Sequence, residues 1–400
     1  MAVMNSSEKI AAIHESVSRG FFVVTGGGSA VLSRLLAVPG ASRTVLEAVI
    51  PYSPDAMTEF MRQRPEQFCC EPTARRIASM AWSRARNCLS PKCENVPESV
   101  FGFALTATLA TNREHRGAHR AYAAFQSRSR TISYALELPK GQLDRAAEEE
   151  LTANWALELI AEFCGVEPAA HTPVQSFEAP AGWQKVLTGQ IPFLEIRRSE
   201  RTPQTFSESF SETLSPQTRG LFSGSFAPIH AGHCEMHACA ERILGGEVAL
   251  ELAIRNADKP PLDFVTIRDR LQRIFAAPNF SGKSVLLTGL PYFESKAEHF
   301  PHQTFVTGID TLERIADAKY HFSEPLLLEK SLRNLAALGT RFLVFGRLEK
   351  TFDGERFETF QPEKFPPVLA ALCQGVPEAE FRSDLSSTAI RAIEQKTEVG

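Results

Sequence analysis

The chain has 400 residues, 43% of them hydrophobic and 22% charged, which is ordinary usage for a globular protein. Lys and Arg (43) nearly balance Asp and Glu (47), so the net charge of −4 argues against nucleic acid as a partner. The longest apolar runs, such as Phe21–Val24, are far shorter than the ~20 residues of a membrane span, and residues 1–20 lack the apolar core of a secretion signal. We therefore expect a two-domain cytoplasmic protein that binds no membrane and keeps its eight cysteines reduced.

The first predicted domain is an α/β domain over residues 8–165. Helical spacing of apolar residues predicts helices at 10–18 and 146–163. Short apolar runs predict strands at 21–25, 44–50 and 102–106. Alternating β-branched and aromatic residues predict a hairpin made of 118–126 and 131–138. A charged run, Glu148–Glu150, is expected on a solvated helix face.

A change of composition separates this domain from the rest of the chain. Residues 166–217 are rich in Pro, Ser, Thr and Gln, which is typical of a linker. Within them, 183–197 is expected to form a small hairpin.

The second predicted domain covers residues 218–400 and alternates strands with helices. Its strands are expected at 221–223, 248–254, 284–288, 304–307 and 342–345. Its helices are expected near 232–244, 263–276, 311–318, 325–338, 366–374 and 387–395. Alternating βα units of this length predict a doubly wound parallel sheet.

The first chemically informative string runs from Ser223 to His233 and reads SGSFAPIHAGH. It follows a predicted strand and opens a predicted helix, where small residues let backbone N–H groups approach a phosphate. Its candidate nucleotide-binding residues are Gly224, Ser225 and Phe226. His230 and His233 can both face that phosphate, donate hydrogen bonds and carry positive charge near neutral pH. The structural alternative is a Gly-rich turn with two incidental histidines.

A second string, LSSTAIR at 385–391, lies near the C-terminal end of the sequence. Hydroxyl groups at a helix start cap free N–H groups and bind phosphate oxygens. The residues concerned are Ser386, Ser387 and Thr388. Arg391 follows one turn later, where its guanidinium can neutralise a triphosphate. The alternative is an ordinary serine cap with an exposed arginine.

These two strings resemble the GSFxPxHxGH and (I/V)SSTxIR motifs of the nucleotidylyltransferase superfamily, which includes the nicotinamide and nicotinate mononucleotide adenylyltransferases. The resemblance covers about residues 218–400 and implies a Rossmann-like fold. It implies transfer of AMP from ATP to a pyridine mononucleotide or a similar phosphorylated small molecule, with release of pyrophosphate. It places His230 and His233 at the α-phosphate, and the SSTAIR residues at the β- and γ-phosphates.

The same resemblance implies further ligand contacts. Gly308 and Asp310 match a strand-end G-x-D segment near the nucleotide, and Lys259 is assigned to the phosphate of the mononucleotide. Mg²⁺ is implied together with ATP, with no metal site formed by the protein's own side chains.

Residues 21–42 and 48–57 resemble the CinA C-terminal family, which includes nicotinamide mononucleotide deamidases. The matching residues are Thr25, Gly26, Gly27 and Tyr52. The family's nucleophilic serine is replaced by Val23, and its lysine by Met57. Neither replacement can act as a nucleophile or a base, so we expect a pocket without deamidase activity. Ser29 is the nearest alternative nucleophile, but no neighbouring base is evident in the sequence. The resemblance also implies a homo-oligomer formed through this domain.

Two other functions remain open. One is a different nucleotidylyltransferase, acting on pantetheine phosphate or on an alcohol phosphate with CTP. The other is a nucleotide-binding regulator without catalytic activity. No residue in the sequence identifies the acceptor.

Overall fold

The computed structural model describes residues 4–89, 96–112, 117–198, 206–210, 213–256, 259–280, 282–321, 324–351 and 354–385. The chain forms two compact units, one of Met1–Gln190 with Asp258–Ile267 and one of Ile191–Ala257 with Arg268–Gly400. Across the described ranges, no helix is both long enough and apolar enough to cross a membrane.

The first unit is an α/β structure with one six-stranded sheet. Its strands are β1 (Arg19–Thr25), β2 (Val45–Val49), β3 (Val100–Thr108), β4 (His119–Gln126), β5 (Arg130–Leu138) and β6 (Gln175–Glu178). Its helices are α1 (Ser6–Glu15), α2 (Ala30–Ala37), α3 (Ala41–Thr44), α4 (Pro54–Met61), α5 (Glu71–Leu89), α6 (Arg145–Phe163) and α7 (Ala181–Thr188). The sheet order is β2-β1-β3-β4-β5-β6, with β2, β1 and β3 parallel and the others antiparallel.

Phenylalanine dominates the core of this unit. Phe22, Phe101, Phe103 and Phe125 project from three neighbouring strands and are fully buried. Phe163, at the end of α6, stacks on Phe125 with ring centroids 4.4 Å apart. Burial of apolar surface on this scale supplies the main driving force for docking α6 on the sheet.

The second unit is also α/β. Its strands are β7 (Phe193–Arg198), β8 (Phe206–Ser209), β9 (Thr218–Gly224), β10 (Glu247–Ala253), β11 (Val285–Thr288), β12 (Thr304–Gly308), β13 (Arg341–Phe345), β14 (Arg347–Thr351), β15 (Gly354–Glu358) and β16 (Cys373–Gly375). Its helices are α8 (Ala231–Leu244), α9 (Phe264–Ala276, whose first four residues group with the first unit), α10 (Phe293–His299), α11 (Ile309–Ala316), α12 (Pro325–Ala337) and α13 (Pro367–Ala370).

Eight strands of this unit form one sheet in the order β16-β13-β12-β9-β10-β11-β7-β8. The six strands from β16 to β11 are parallel, whereas β7 and β8 add an antiparallel edge. The chain moves outward from β9 through β10 to β11, and then returns to β12 on the other side of β9. The strand order therefore reverses between β9 and β12. The predicted α/β class is confirmed, with mixed rather than purely parallel sheets.

The prediction of a hairpin at 183–197 is wrong. Residues Ala181–Thr188 form α7, because Trp183, Val186 and Leu187 are spaced to bury one helical face. Gly189 ends the helix in the left-handed conformation, with φ of 84°. The region expected to be a linker thus carries β6 and α7 in the first unit and β7 and β8 in the second.

The predicted helix at 366–374 is also shorter than expected. Only Pro367–Ala370 is helical, because Cys373–Gly375 pairs with β13 and extends the sheet edge. The predicted helix at 387–395 lies outside the described residues.

Candidate functional site

The loop between β9 and α8 lies at the carboxyl edge of the second sheet. Phe226 adopts a left-handed backbone conformation, with φ of 44°, which is uncommon for a bulky residue. Its ring is 1% exposed and packs edge-on against Phe222, with centroids 5.3 Å apart. Burial of this ring holds the loop against the sheet and compensates for the unfavourable backbone conformation.

The two histidines that were predicted to bind phosphate lie together at the start of α8. His230 is the N-cap residue, and its backbone N–H donates a hydrogen bond to Nδ1 of His233 at 3.3 Å. The two rings lie 3.8 Å apart between centroids, and the His233 ring contacts Phe226 edge-on at 5.4 Å. Since Nδ1 of His233 accepts a hydrogen bond, its ring proton is carried on Nε2, which can donate to a ligand oxygen.

The histidines are neutral at physiological pH. Burial, assisted by repulsion from His230, lowers the pKa of His233 to about 3. Burial also lowers the pKa of His230, against the opposing effect of Glu235. The lowered pKa values therefore favour neutral rings near pH 7 over the positive charge that histidine can otherwise carry there. Nδ1 of His230 is buried and makes no hydrogen bond to any described residue, which is the kind of group that a ligand can satisfy.

The last described residues run along α8 toward its N-terminal end. Arg242 pairs with Glu380 at 3.2 Å, and Ser383 then approaches Gly232. A Cβ atom on Gly232 would lie only 2.5 Å from Oγ of Ser383, so any larger residue at 232 would displace the Ser383 side chain. Four residues of the second motif were predicted to bind phosphate, and all of them lie outside the described residues: Ser386, Ser387, Thr388 and Arg391.

Gly308 is the last residue of the neighbouring strand, β12, and Asp310 follows two residues later. Val306 pairs with Phe222 in register, so β12 and β9 end side by side at Gly308 and Gly224. Asp310 lies in the first turn of α11 and is half-buried. Lys259, by contrast, falls in the segment that groups with the first unit.

A cavity of about 450 Å³ opens beside His230. Its lining is largely apolar, with one carboxylate and one amide, and consists of Ile229, His230, Ala231, Cys234, Glu235, Ala277, Pro278 and Asn279. This volume is within the range of small-molecule sites.

The first unit has a cavity of about 460 Å³ at the carboxyl ends of β1 and β3. Of the residues expected there, Thr25, Gly26, Tyr52 and Met57 line it. Val23 is fully buried in β1, between β2 and β3, and neither Val23 nor Gly27 lines the cavity.

Sequence reasoning missed five polar residues that line this cavity, namely Gln67, Cys69, Thr106, Thr108 and Arg120. They precede α5 or lie on β3 and β4, so only the folded sheet brings them to Thr25. Among the described residues that line the cavity, none carries a carboxylate. Burial raises the pKa of Cys69, so its thiol stays protonated and is not an activated nucleophile.

The glycine-rich turn of the first unit is occupied by a side chain of its own. The carboxylate of Glu149 accepts hydrogen bonds from Gly28 N at 2.8 Å, Ser29 Oγ at 2.9 Å and Ala30 N at 3.3 Å. Partial burial acts to raise the pKa of Glu149, but these hydrogen bonds lower it overall, so the group stays ionised and is a weak base. Ser29 therefore has a carboxylate partner that the sequence did not indicate.

The prediction of a solvated face for Glu148–Glu150 is correct only for the last residue. Glu148 is fully buried and accepts from His119 Nδ1 at 2.6 Å and from Ala110 N at 2.6 Å. Glu150 is exposed and pairs with Arg34. Two of these three carboxylates thus stabilise loops that lead out of the sheet.

No family model and no curated protein matches this chain. Several solved structures are similar to about two-fifths of it. The competence/damage-inducible protein CihA from Agrobacterium tumefaciens is 18% identical, with a TM-score of 0.31, and covers 40% of this chain and 97% of its own. A CinA superfamily protein from Escherichia coli is 12% identical, with a TM-score of 0.31 and coverages of 41% and 94%. The competence damage-inducible protein A from Klebsiella pneumoniae is 15% identical, with a TM-score of 0.29 and coverages of 40% and 96%.

Proposed function

We propose that the second unit transfers AMP from ATP to a pyridine mononucleotide or a similar phosphorylated small molecule and releases pyrophosphate. The observation that carries this proposal is that His230 and His233 follow β9, while Gly308 and Asp310 lie at the end of β12, the adjacent strand of the sheet. These two strands lie on the two sides of the point where the strand order reverses. Counted along the chain, the six parallel strands have the order 3-2-1-4-5-6 of doubly wound nucleotide-binding sheets, which bind ligands at that point.

The reaction needs positioning and charge stabilisation more than covalent participation by the protein. A phosphate oxygen of the acceptor attacks the α-phosphorus of ATP, and the bond from that phosphorus to the pyrophosphate oxygen breaks in line. His233 donates from Nε2 to an α-phosphate oxygen, and the amide groups at the start of α8 add their positive dipole end. Asp310 accepts hydrogen bonds from ribose hydroxyls.

Positive charge must come from groups other than the two neutral histidines. Arg391 is the proposed cation for the β- and γ-phosphates, and Mg²⁺ enters bound to the phosphates of ATP. In the part of the chain that the structure describes, no three side chains of His, Cys, Asp or Glu gather to hold a metal ion.

The cavity beside His230 is the proposed place of the acceptor. Its mainly apolar lining suits a ring or an alkyl group, whose phosphate would then reach Nδ1 of His230. Pantetheine phosphate and an alcohol phosphate used with CTP are the alternative acceptors. For the first unit we propose a structural or ligand-holding role without turnover.

The test is a screen of the full chain with ATP or CTP and each acceptor, in which the measured quantity is the release of pyrophosphate. We expect release with ATP and a pyridine mononucleotide, and loss of release in His233→Ala. Release only with pantetheine phosphate would replace the proposed acceptor. Release only with CTP and an alcohol phosphate would replace both the nucleotide and the acceptor. Nucleotide binding with no release for any acceptor would favour the regulator.

A further inference from the structure

A buried ion pair lies on the sheet next to the candidate nucleotide loop. Nζ of Lys296, on α10, contacts Oε2 of Glu251, on β10, at 2.6 Å. The two residues are 5% and 1% exposed, respectively. Oγ1 of Thr288, at the end of β11, donates to the other carboxylate oxygen. The cost of removing two charges from water largely cancels their attraction, so an apolar pair would serve stability as well.

The ion pair is connected to the loop through one hydroxyl. Ser223 pairs with Glu251 in register across β9 and β10, so their side chains share one face of the sheet. Nζ of Lys296 lies 3.4 Å from Oγ of Ser223, which is half-buried and directly precedes Gly224. Lys296 has only protons to offer, so it must donate and Ser223 must accept. The hydroxyl proton of Ser223 is then directed away from Lys296.

We propose that Ser223 is a further phosphate-binding residue and that Lys296, held by Glu251, is the positioning residue that orients its hydroxyl. The ligand group is an oxyanion of a phosphate chain at the β9–α8 loop. A hydroxyl that accepts from an ammonium group is a stronger donor than an isolated one, because chains of hydrogen bonds polarise each other. This inference rests on the proposed function for the choice of ligand, but it concerns binding rather than transfer.

The experiment compares Ser223→Ala with Thr288→Val in the full chain. Both variants remove one hydroxyl from the same network and leave the Lys296–Glu251 pair intact, but only Ser223 precedes the loop. The probe is inorganic tripolyphosphate, and its Kd is measured by calorimetry beside the midpoint of thermal unfolding. We expect Ser223→Ala to raise the Kd about tenfold, the contribution of one hydrogen bond to a charged group. Thr288→Val should change it less than twofold, with similar midpoints for both variants.

An unchanged Kd in Ser223→Ala, an equal rise in both variants, or a wild type that does not bind tripolyphosphate would each overturn the inference. Pyrophosphate release separates it from the proposed function. If tripolyphosphate distinguishes the two variants and no acceptor supports release, the phosphate site stands and the transferase does not.

A double variant tests whether Lys296 acts through Ser223. Lys296→Gln with Glu251→Gln replaces the charged pair by a neutral one and leaves no buried charge unpaired. In that background we expect Ser223→Ala to change the Kd less than twofold, whereas a further tenfold rise would show that Ser223 acts alone. If the double variant does not fold, the comparison of Ser223→Ala with Thr288→Val still decides the role of Ser223.

Discussion

The backbone N–H of His230 donates to Nδ1 of His233 at 3.3 Å, which ties the cap of α8 to the side chain one turn later. This hydrogen bond leaves the ring proton of neutral His233 on Nε2. It also holds the two rings 3.8 Å apart, where His230 lowers the pKa of His233. The pair is therefore suited to neutral hydrogen bonding rather than to carrying a fixed positive charge.

Replacement of His233 by alanine should abolish nucleotidyl transfer. Loss of one preorganised donor to transition-state charge reduces the rate by ~10²–10³-fold. The fold should persist, as measured by circular dichroism and thermal unfolding. His299→Ala is the control, because His299 is exposed on α10, and it should keep full activity. Turnover within a factor of two of the wild type in His233→Ala would refute the assignment.

The stability of the protein should fall as the pH is lowered from about 6.5 toward 3. In the folded state the pKa of His233 is lowered to about 3, whereas an unfolded histidine has a pKa near 6.5. Between these values the unfolded state binds more protons, so acid favours unfolding. A His233→Gln variant should therefore lose less stability than the wild type between pH 7.5 and 4.5. Urea unfolding midpoints at the two pH values measure this, and identical changes in both proteins would contradict the buried, neutral His233.

Replacement of Arg391 by alanine should raise the KM for ATP, lower kcat, or do both. The variant lacks the guanidinium that we propose neutralises the triphosphate, so binding or turnover of ATP should weaken. Arg382→Ala is the matched control, since Arg382 is exposed and pairs with Glu378 and Asp384. Steady-state kinetics with varied ATP give the KM and kcat of both variants. Equal kinetics in the two variants would remove Arg391 from the site.

The protein should release no ammonia from nicotinamide mononucleotide. Val23 has no nucleophilic atom and is fully buried, and Met57 cannot replace a lysine. Val23→Ser alone should not restore activity, because losses within a catalytic unit are not additive and the hydroxyl would lie in the core. The assay uses the full chain, because the first unit includes β6, α7 and residues 258–267 beyond the predicted limit at 165. Ammonia release that survives Ser29→Ala would contradict the loss of deamidase activity and require a nucleophile other than Ser29.

Replacement of Glu149 by alanine should destabilise the first unit by about 1 kcal/mol or more, the usual loss when a helix cap is removed. Three hydrogen bonds to the glycine-rich turn would disappear. Because the pKa of Glu149 is lowered in the folded state, its stabilisation is present above the unfolded pKa and is lost as the pH falls through the folded value. Chemical denaturation measures the stability of the variant. The control is Glu150→Ala, on the exposed face of the same helix. Equal stabilities of the two variants would show that the turn does not need the carboxylate.

Local patterns were sufficient for most of the strands, but they left out several helices of the first unit, including α5. The apolar run Phe21–Val24 became the interior of β1, and the alternating residues near 118–126 and 131–138 became β4 and β5. The Gly-Ser-Phe string lies between a strand and a helix, as its composition predicts, because glycine, a strand end and a helix start are neighbours in the chain. The prediction failed at α7 because its apolar residues fit both the strand and the helix period over so short a segment.

The sequence by itself determined the α/β class, most strands and the adjacency of His230 and His233, since each depends on residues close together in the chain. Only the tertiary structure decided which distant groups meet. Glu149 fills a turn 121 residues away at Gly28, and Lys296 reaches Glu251 across 45 residues. The neutral state of His233 was likewise invisible in the sequence, because its pKa is lowered by burial, and the extent of burial depends on how the loop packs in the folded protein. Burial and long-range pairing depend on how the helices pack on the sheets, and local residue patterns do not predict that packing.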